Sequence, residues 1–205
     1  MSLSSQQKLK SILPLTIASL VCFFALMIVN HFTKDKISSN KEHAALAVIN
    51  DVLSVEYDND LFQDKIELDV PGYINNTNKI SVYRARLNNQ PVAVSLMPVT
   101  TKAYNGSLSL VIGISYNGKL TGIKILQHNE TKGFGDQAHQ DNSNWLLGFS
   151  GYSLETSKEN WAIKKDGGKF DQLSGATITS RSIINILYKT LEYYSEHREQ
   201  FYDNK

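Results

Sequence analysis

The stretch SLSLVIGISYNGKLTGIKILQ, Ser107 to Gln127, decides the fold. Two runs rich in branched aliphatic residues, Ser107–Tyr116 and Lys119–Gln127, flank Asn117-Gly118. Asn-Gly between two such runs is the strongest short hairpin signal, since a type I′ turn needs positive φ at both central positions. Toward the N-terminus, Lys79–Leu87 and Pro91–Pro98 flank Asn88-Asn89-Gln90, which reads as another hairpin. From Ile66 to Gln127 branched and aromatic residues alternate with polar ones between turn signals, which predicts an antiparallel sheet. Toward the C-terminus, residues 128–170 are polar, aromatic and glycine-containing, and predict a long functional loop region with short helices. Ile183, Ile184, Leu187, Leu191 and Tyr194 then share one helical face, which predicts a helix from Ser180 to Glu196 and a polar, fraying tail to Lys205. Ala45, Val48, Ile49, Val52 and Leu53 predict a second helix over 41–54, broken by Asp58-Asn59-Asp60. The class is α+β, an antiparallel sheet with packed helices.

To this is added one N-terminal transmembrane helix. No charged residue occurs in the 23 positions between Lys10 and Lys34, and about 20 apolar residues cross a bilayer as a helix. The run is long for a cleavable signal peptide, and Asn30-His31-Phe32-Thr33 is a poor cleavage site. The organisation is therefore a cytoplasmic tail over 1–10, the span over 11–33 and a domain over 34–205. Lys8 and Lys10 before the span nearly balance Lys34, Lys36 and Lys41 after it, so the positive-inside rule is close to neutral. A short tail before a large C-terminal domain fits an anchor with its N-terminus inside. The formal net charge of +1 gives no argument for nucleic acid. One cysteine, Cys22, excludes an internal disulfide and any cysteine-based zinc or iron–sulfur site.

Chemistry is sparse. There is no G-x-G-x-x-G fingerprint, no P-loop and no Gly-x-Ser-x-Gly elbow. His128-Asn129-Glu130-Thr131-Lys132-Gly133-Phe134-Gly135-Asp136 matches no strong metal motif, and no metal site is expected; it reads as a surface loop or as a glycine turn that brings backbone close to a ligand. Ala103-Tyr104-Asn105-Gly106 reads as a turn, or as one that offers an aromatic ring to a flat ligand. Trp145 and Trp161 read as core or rim, with stacking on a flat ligand as the alternative. Asp166-Gly167-Gly168 is a tight turn. Ser174-Gly175-Ala176-Thr177-Ile178-Thr179-Ser180 is small, hydroxyl-rich and uncharged, and leads into the C-terminal helix. Local physics leaves it either a hydroxyl-capped helix start or an anion site.

Asp171-Gln172-Leu173-Ser174-Gly175-Ala176-Thr177 matches the pattern Asp-x-x-[Ser/Thr]-Gly-Ala-[Thr/Ser], which marks domains carrying covalent FMN. With Tyr104-x-Gly106, the His128-x-Glu130-Thr131-x-Gly133-x-Gly135 loop and Asp166-Gly167-Gly168 in the same order, the chain resembles the G subunits of Rnf electron-transport complexes over essentially its whole length. It is similar, more distantly, to the C subunits of sodium-translocating NADH:quinone reductases. It departs from the usual Glu-Thr-Pro-Gly-Leu-Gly loop at Lys132 and Phe134. The resemblance implies an FMN phosphoester on Thr177, made by a separate flavin transferase with FAD as donor. It implies Ser174, Gly175, Ala176, Asp171, Glu130, Thr131 and Tyr104 as further cofactor-binding residues, with Thr179 left as a helix cap. It also implies a periplasmic domain on an inner-membrane anchor, among other membrane subunits of an ion-translocating oxidoreductase. Such a chain is an electron carrier without a complete active site of its own, serving ferredoxin–NAD electron transfer or keeping a redox-sensing regulator reduced. The alternative is a membrane-anchored, cofactor-free binding or scaffold module.

Overall fold

A computed structural model of the chain describes residues 18–24, 26–29, 33 and 44–203. Of the expected span 11–33, the described residues are helical; its remainder, the expected tail 1–10 and residues 34–43 lie outside the described residues. Among the described residues, no helix is long and apolar enough to cross a membrane. The chain divides into two compact units, Met1–Leu46 and Ala47–Lys205. In the first, Leu20, Val21, Phe23, Phe24, Leu26 and Met27 are all more than half exposed.

The second unit is built on one five-stranded antiparallel meander: β1 (Lys65–Asp69), β2 (Lys79–Leu87), β3 (Gln90–Ala103), β4 (Gly106–Ser115) and β5 (Leu120–Gln127), each paired with its sequence neighbour. Helix α1 covers residues 44–53, and α2 is Thr177–His197. Between β5 and α2 the chain makes four short 3₁₀ turns, as its glycine-rich polar composition predicts.

Strand alternation divides the side chains between two faces. Leu108, Leu110, Ile112 and Ile114 of β4 join Val82, Leu96 and the α2 residues Ile183, Ile184, Leu187 and Leu191 in the main core. The register Tyr83–Ser95–Gly113–Gly122 runs across the opposite face. Here the end of α1 lies directly on the sheet. A Cβ on Gly113 would run into the Val52 carbonyl, and one on Gly122 would come within 2.8 Å of the Val52 backbone. Thr121 Oγ1 donates to the same carbonyl at 2.6 Å, and Lys124 pairs with Asp51.

Four expectations are corrected. The type I′ turn is at Asn88-Asn89, with φ of 50° and 62°. At Asn117-Gly118 only Gly118 has positive φ (79°); it donates to the Ser115 carbonyl at 2.8 Å in a three-residue hairpin loop. Strand β3 does not stop at Pro98 but continues to Ala103, because the residue lacking an N–H falls in the register break between Leu96 and Val99. Helix α2 starts three residues early, at Thr177. The tail does not fray through Asp203: Phe201 is buried, the Tyr202 hydroxyl lies 2.9 Å from that of Tyr194, and Arg84 Nη1 donates to the Asp203 carbonyl at 2.9 Å.

Candidate functional site

Three connecting segments meet at one end of the β4–β5 hairpin. The first is the β3–β4 turn, Tyr104-Asn105, closed by Gly106 at φ 111°. The second is the loop 128–135 that follows β5. The third is the turn into α2, where Ala176 N–H donates to the Leu173 carbonyl at 3.1 Å and Gly175 takes the φ of 71° that such a turn needs in its third position. Ser180 ties this turn to the helix, accepting from Leu173 N–H and donating to the Ala176 carbonyl, both at 3.0 Å.

Glu130 joins the three. Its side chain is buried, with 9% of the residue exposed. Oε1 accepts the Asn105 backbone N–H at 2.8 Å, and Oε2 accepts the Thr179 hydroxyl at 2.5 Å. A buried carboxylate is tolerated only when its oxygens are hydrogen-bonded, and these two bonds meet that need. A Cβ on Gly135 would overlap the carboxylate, so this glycine belongs to the same arrangement.

Helix α2 opens without a side-chain cap. Its first intrahelical donor is Ser180 N–H, to the Ala176 carbonyl at 3.0 Å. The amides of Thr177, Ile178 and Thr179 precede that bond and have no intrahelical acceptor. Thr179 is therefore not the cap that the sequence suggests. It lies inside the first turn, fully buried, with its hydroxyl spent on Glu130. Thr177 is half-buried, and among the described residues its hydroxyl meets no hydrogen-bonding partner.

These segments enclose a cavity of about 450 Å³, a size suited to a small-molecule ligand. Of the residues singled out by sequence, Tyr104, Glu130, Thr131, Gly175, Ala176 and Thr177 line it; Phe134, Gly135, Ile178 and Thr179 complete the wall. No lysine, arginine or histidine is among the lining residues. Asp171 and Ser174 are not brought to the cavity. Asp171 is exposed and paired with Lys164 at 2.8 Å, and its carbonyl accepts the Trp145 indole N–H at 2.7 Å. Ser174 is exposed in the turn. Trp145 and Trp161 pack in an aromatic cluster with Phe149 and Phe170. His128 and His139 stand 5.6 Å apart between ring centroids, and no group of three potential metal ligands occurs among the described residues.

The Asp166-Gly167-Gly168 turn braces the site from outside. Arg181, one turn into α2, donates to both Asp166 oxygens at 2.6 and 2.7 Å, which holds that carboxyl below its usual value. Gly167 has φ 85°, and a Cβ on Gly168 would strike the Ala162 carbonyl.

The residues present fit FMN. Free amides at a helix start suit a phosphate, a partly apolar cavity with two exposed rings suits a flat heterocycle, and Gly175 lets backbone approach where a side chain would not fit. Sequence reasoning did not name Phe134, Gly135, Ile178 or Thr179 among the cofactor-binding residues, and all four line the cavity. Gly133-Phe134-Gly135 carries a signal, an aromatic held between two glycines; Ile178 carries none while the helix start is set at Ser180.

Residues 103–192 match the family of the FMN-binding domain, which gives FMN as the cofactor. The G subunit of the ion-translocating oxidoreductase complex of Vibrio cholerae is 32% identical over 83% of this chain and 82% of that protein. The G subunit of the corresponding complex of Shewanella amazonensis is 33% identical over 90% and 87% respectively. The crystal structure of Shewanella oneidensis NqrC superposes with a TM-score of 0.48 at 19% identity, covering 75% of this chain and 81% of that one. On these likenesses in sequence, the chain belongs to the family of the ion-translocating oxidoreductase complex G subunits.

Proposed function

We propose that FMN is esterified through its phosphate to Oγ1 of Thr177, and that the chain is an electron-carrying subunit of a membrane-bound ion-translocating oxidoreductase, without a complete active site of its own. The observation that carries this reading is the combination at Thr177: a hydroxyl without a partner among the described residues, three open amides and a cavity wall with no basic side chain. A phosphomonoester carries close to two negative charges at neutral pH. The helix start supplies roughly half a positive charge, and the buried Glu130 opposes a dianion. A diester, with one charge, suits such a site better than a free phosphate does. Asp171 and Ser174 then serve outside the cavity, presenting the turn, while Tyr104, Glu130, Thr131, Gly175 and Ala176 contact or shape the cofactor.

Attachment needs outside help, since a threonine hydroxyl is a weak nucleophile without a base or metal and Glu130, the one acid in the wall, is committed to Asn105 and Thr179. In the proposed step a flavin transferase brings FAD. Thr177 Oγ1 attacks the FMN-side phosphorus, the pyrophosphate P–O bond breaks, AMP leaves with the electron pair, and the hydroxyl proton passes to the transferase. Once bound, the flavin would supply the one- and two-electron chemistry of electron carriage. The protein holds the phosphate end, shapes the cavity and leaves its mouth open to partner subunits.

The test is expression with and without a flavin transferase, followed by denaturing electrophoresis under ultraviolet light. The wild-type band fluoresces only with the transferase, and Thr177→Ala abolishes the signal. A dark wild-type band in the presence of transferase and FAD overturns the reading. Anchoring at the inner membrane with residues 34–205 in the periplasm is part of the same proposal, supported by the uncharged run and its exposed apolar side chains. A C-terminal reporter active only in the cytoplasm contradicts it. The cofactor-free scaffold alternative has no observation in its favour once the FMN-binding domain is matched.

A further inference from the structure

We propose that Trp145 is a positioning residue for flavin attachment: its indole N–H holds the Asp171 end of the segment 171–177 in the form that a flavin transferase engages. The inference rests on attachment at Thr177.

The segment alternates between anchored and open residues. Leu173 and Ala176 are buried in the main core, while Asp171, Gln172, Ser174 and Gly175 are exposed. Its helix end is fixed from within. Ala176 N–H donates to the Leu173 carbonyl at 3.1 Å, and Ser180 bonds both Leu173 N–H and the Ala176 carbonyl at 3.0 Å. On the upstream side Phe170 is fixed too: its carbonyl accepts Lys164 N–H at 2.7 Å, and its N–H donates to the Ala162 carbonyl at 3.1 Å. Asp171 and Gln172 bridge these two anchored points. Among the described residues, the bridge backbone has one hydrogen bond, from Trp145 Nε1 to the Asp171 carbonyl at 2.7 Å.

Trp145 is suited to that task because it is itself held. Its ring meets Phe149 edge-on at 4.9 Å, and its backbone N–H donates to Ser143 Oγ at 3.3 Å. A tryptophan N–H away from water takes a partner; this one takes it 26 residues downstream, in the bridge. The Asp171 side chain cannot do the same work. Its carboxylate is 74% exposed and lies 2.8 Å from Lys164 Nζ, itself 58% exposed, and ion pairs this open to solvent fix little. The indole therefore sets the backbone and leaves the carboxylate, Gln172 and Ser174 facing outward, six residues or fewer from Thr177. A transferase acting at Thr177 Oγ1 meets these exposed residues as the outer part of the segment. Binding a segment already in place costs less than ordering it on contact.

The experiment measures initial rates of flavin attachment to the full chain, with FAD saturating, a flavin transferase limiting and the chain varied, read as flavin fluorescence after denaturing electrophoresis. Trp145→Phe keeps an aromatic ring against Phe149 and removes the N–H. It is expected to raise the KM for the chain about two- to tenfold, the worth of one hydrogen bond, with kcat at the wild-type value. Gly118→Ala, in the β4–β5 loop, is the control for lost stability and should leave KM where it is. A KM unmoved in Trp145→Phe, whatever happens to kcat, overturns the proposal, as does an equal rise in Gly118→Ala. These outcomes leave attachment standing, because the wild-type band still fluoresces. A wild-type band that stays dark overturns attachment at Thr177, and the positioning role with it.

Discussion

Thr177 and Thr179 stand two residues apart in one helical turn and differ in what their hydroxyls touch. Thr177 faces the cavity without a partner among the described residues; Thr179 is sealed inside and donates to Glu130. Thr179→Val keeps the shape, leaves Glu130 Oε2 without its donor and is expected to lower stability by about 1–3 kcal/mol. Flavin loading of the folded fraction should persist, read as fluorescence per milligram of soluble protein. Glu130→Ala removes the acceptor from both the Asn105 N–H and the Thr179 hydroxyl, so its thermal midpoint should fall further than that of Thr179→Val, by roughly 2–4 °C for each kcal/mol in a domain of this size. At this scale the sequence is only partly legible. Counting along the motif singles out Thr177, but nothing in Ser-Gly-Ala-Thr-Ile-Thr-Ser has a helical period before Ile183. The period therefore sets the helix start late, and Thr179 reads as an exposed cap. Burial of a threonine by an acid 49 residues away leaves no local trace.

The hairpins are legible because turn chemistry is local, although turn type is not. Asn-Asn adopts positive φ at both central positions where Asn-Gly is expected to, since asparagine tolerates the left-handed region nearly as a glycine does. Gly118, at φ 79°, closes the β4–β5 loop, and Gly118→Ala is expected to cost about 1 kcal/mol, measurable by urea denaturation. The Asp166–Arg181 fork ties another turn to α2. The folded carboxyl titrates below its unfolded value of 3.8, because Arg181 donates to it. Its stabilisation is present in full above that value and is lost as pH falls through the lower folded one. Asp166→Asn should therefore lower the thermal midpoint above roughly pH 5 and converge with wild type in stronger acid, by scanning calorimetry.

In the molecule as a whole, the sheet carries α2 and the looped segment on one face and the end of α1 on the other. Alternation and helical period predict these elements, but not that Gly113 and Gly122 exist to admit the Val52 backbone. A strand glycine reads equally well as a bulge, and the helix that fills the gap lies about 60 residues earlier in the chain. Gly113→Val would force α1 off the sheet; the expected result is a loss of about 3 kcal/mol or more, on the scale of strong overpacking, seen as a lowered urea midpoint. The seat of α1 and the cavity lie at opposite ends of β4. Gly106 and Gly113 are seven residues apart, roughly 23 Å of strand. Perturbations that far apart, with no shared partner, add within about 0.5 kcal/mol. Gly113→Val should thus lower stability while leaving the FMN affinity per folded molecule at its wild-type value. The two ends are energetically independent, free to vary one without retuning the other.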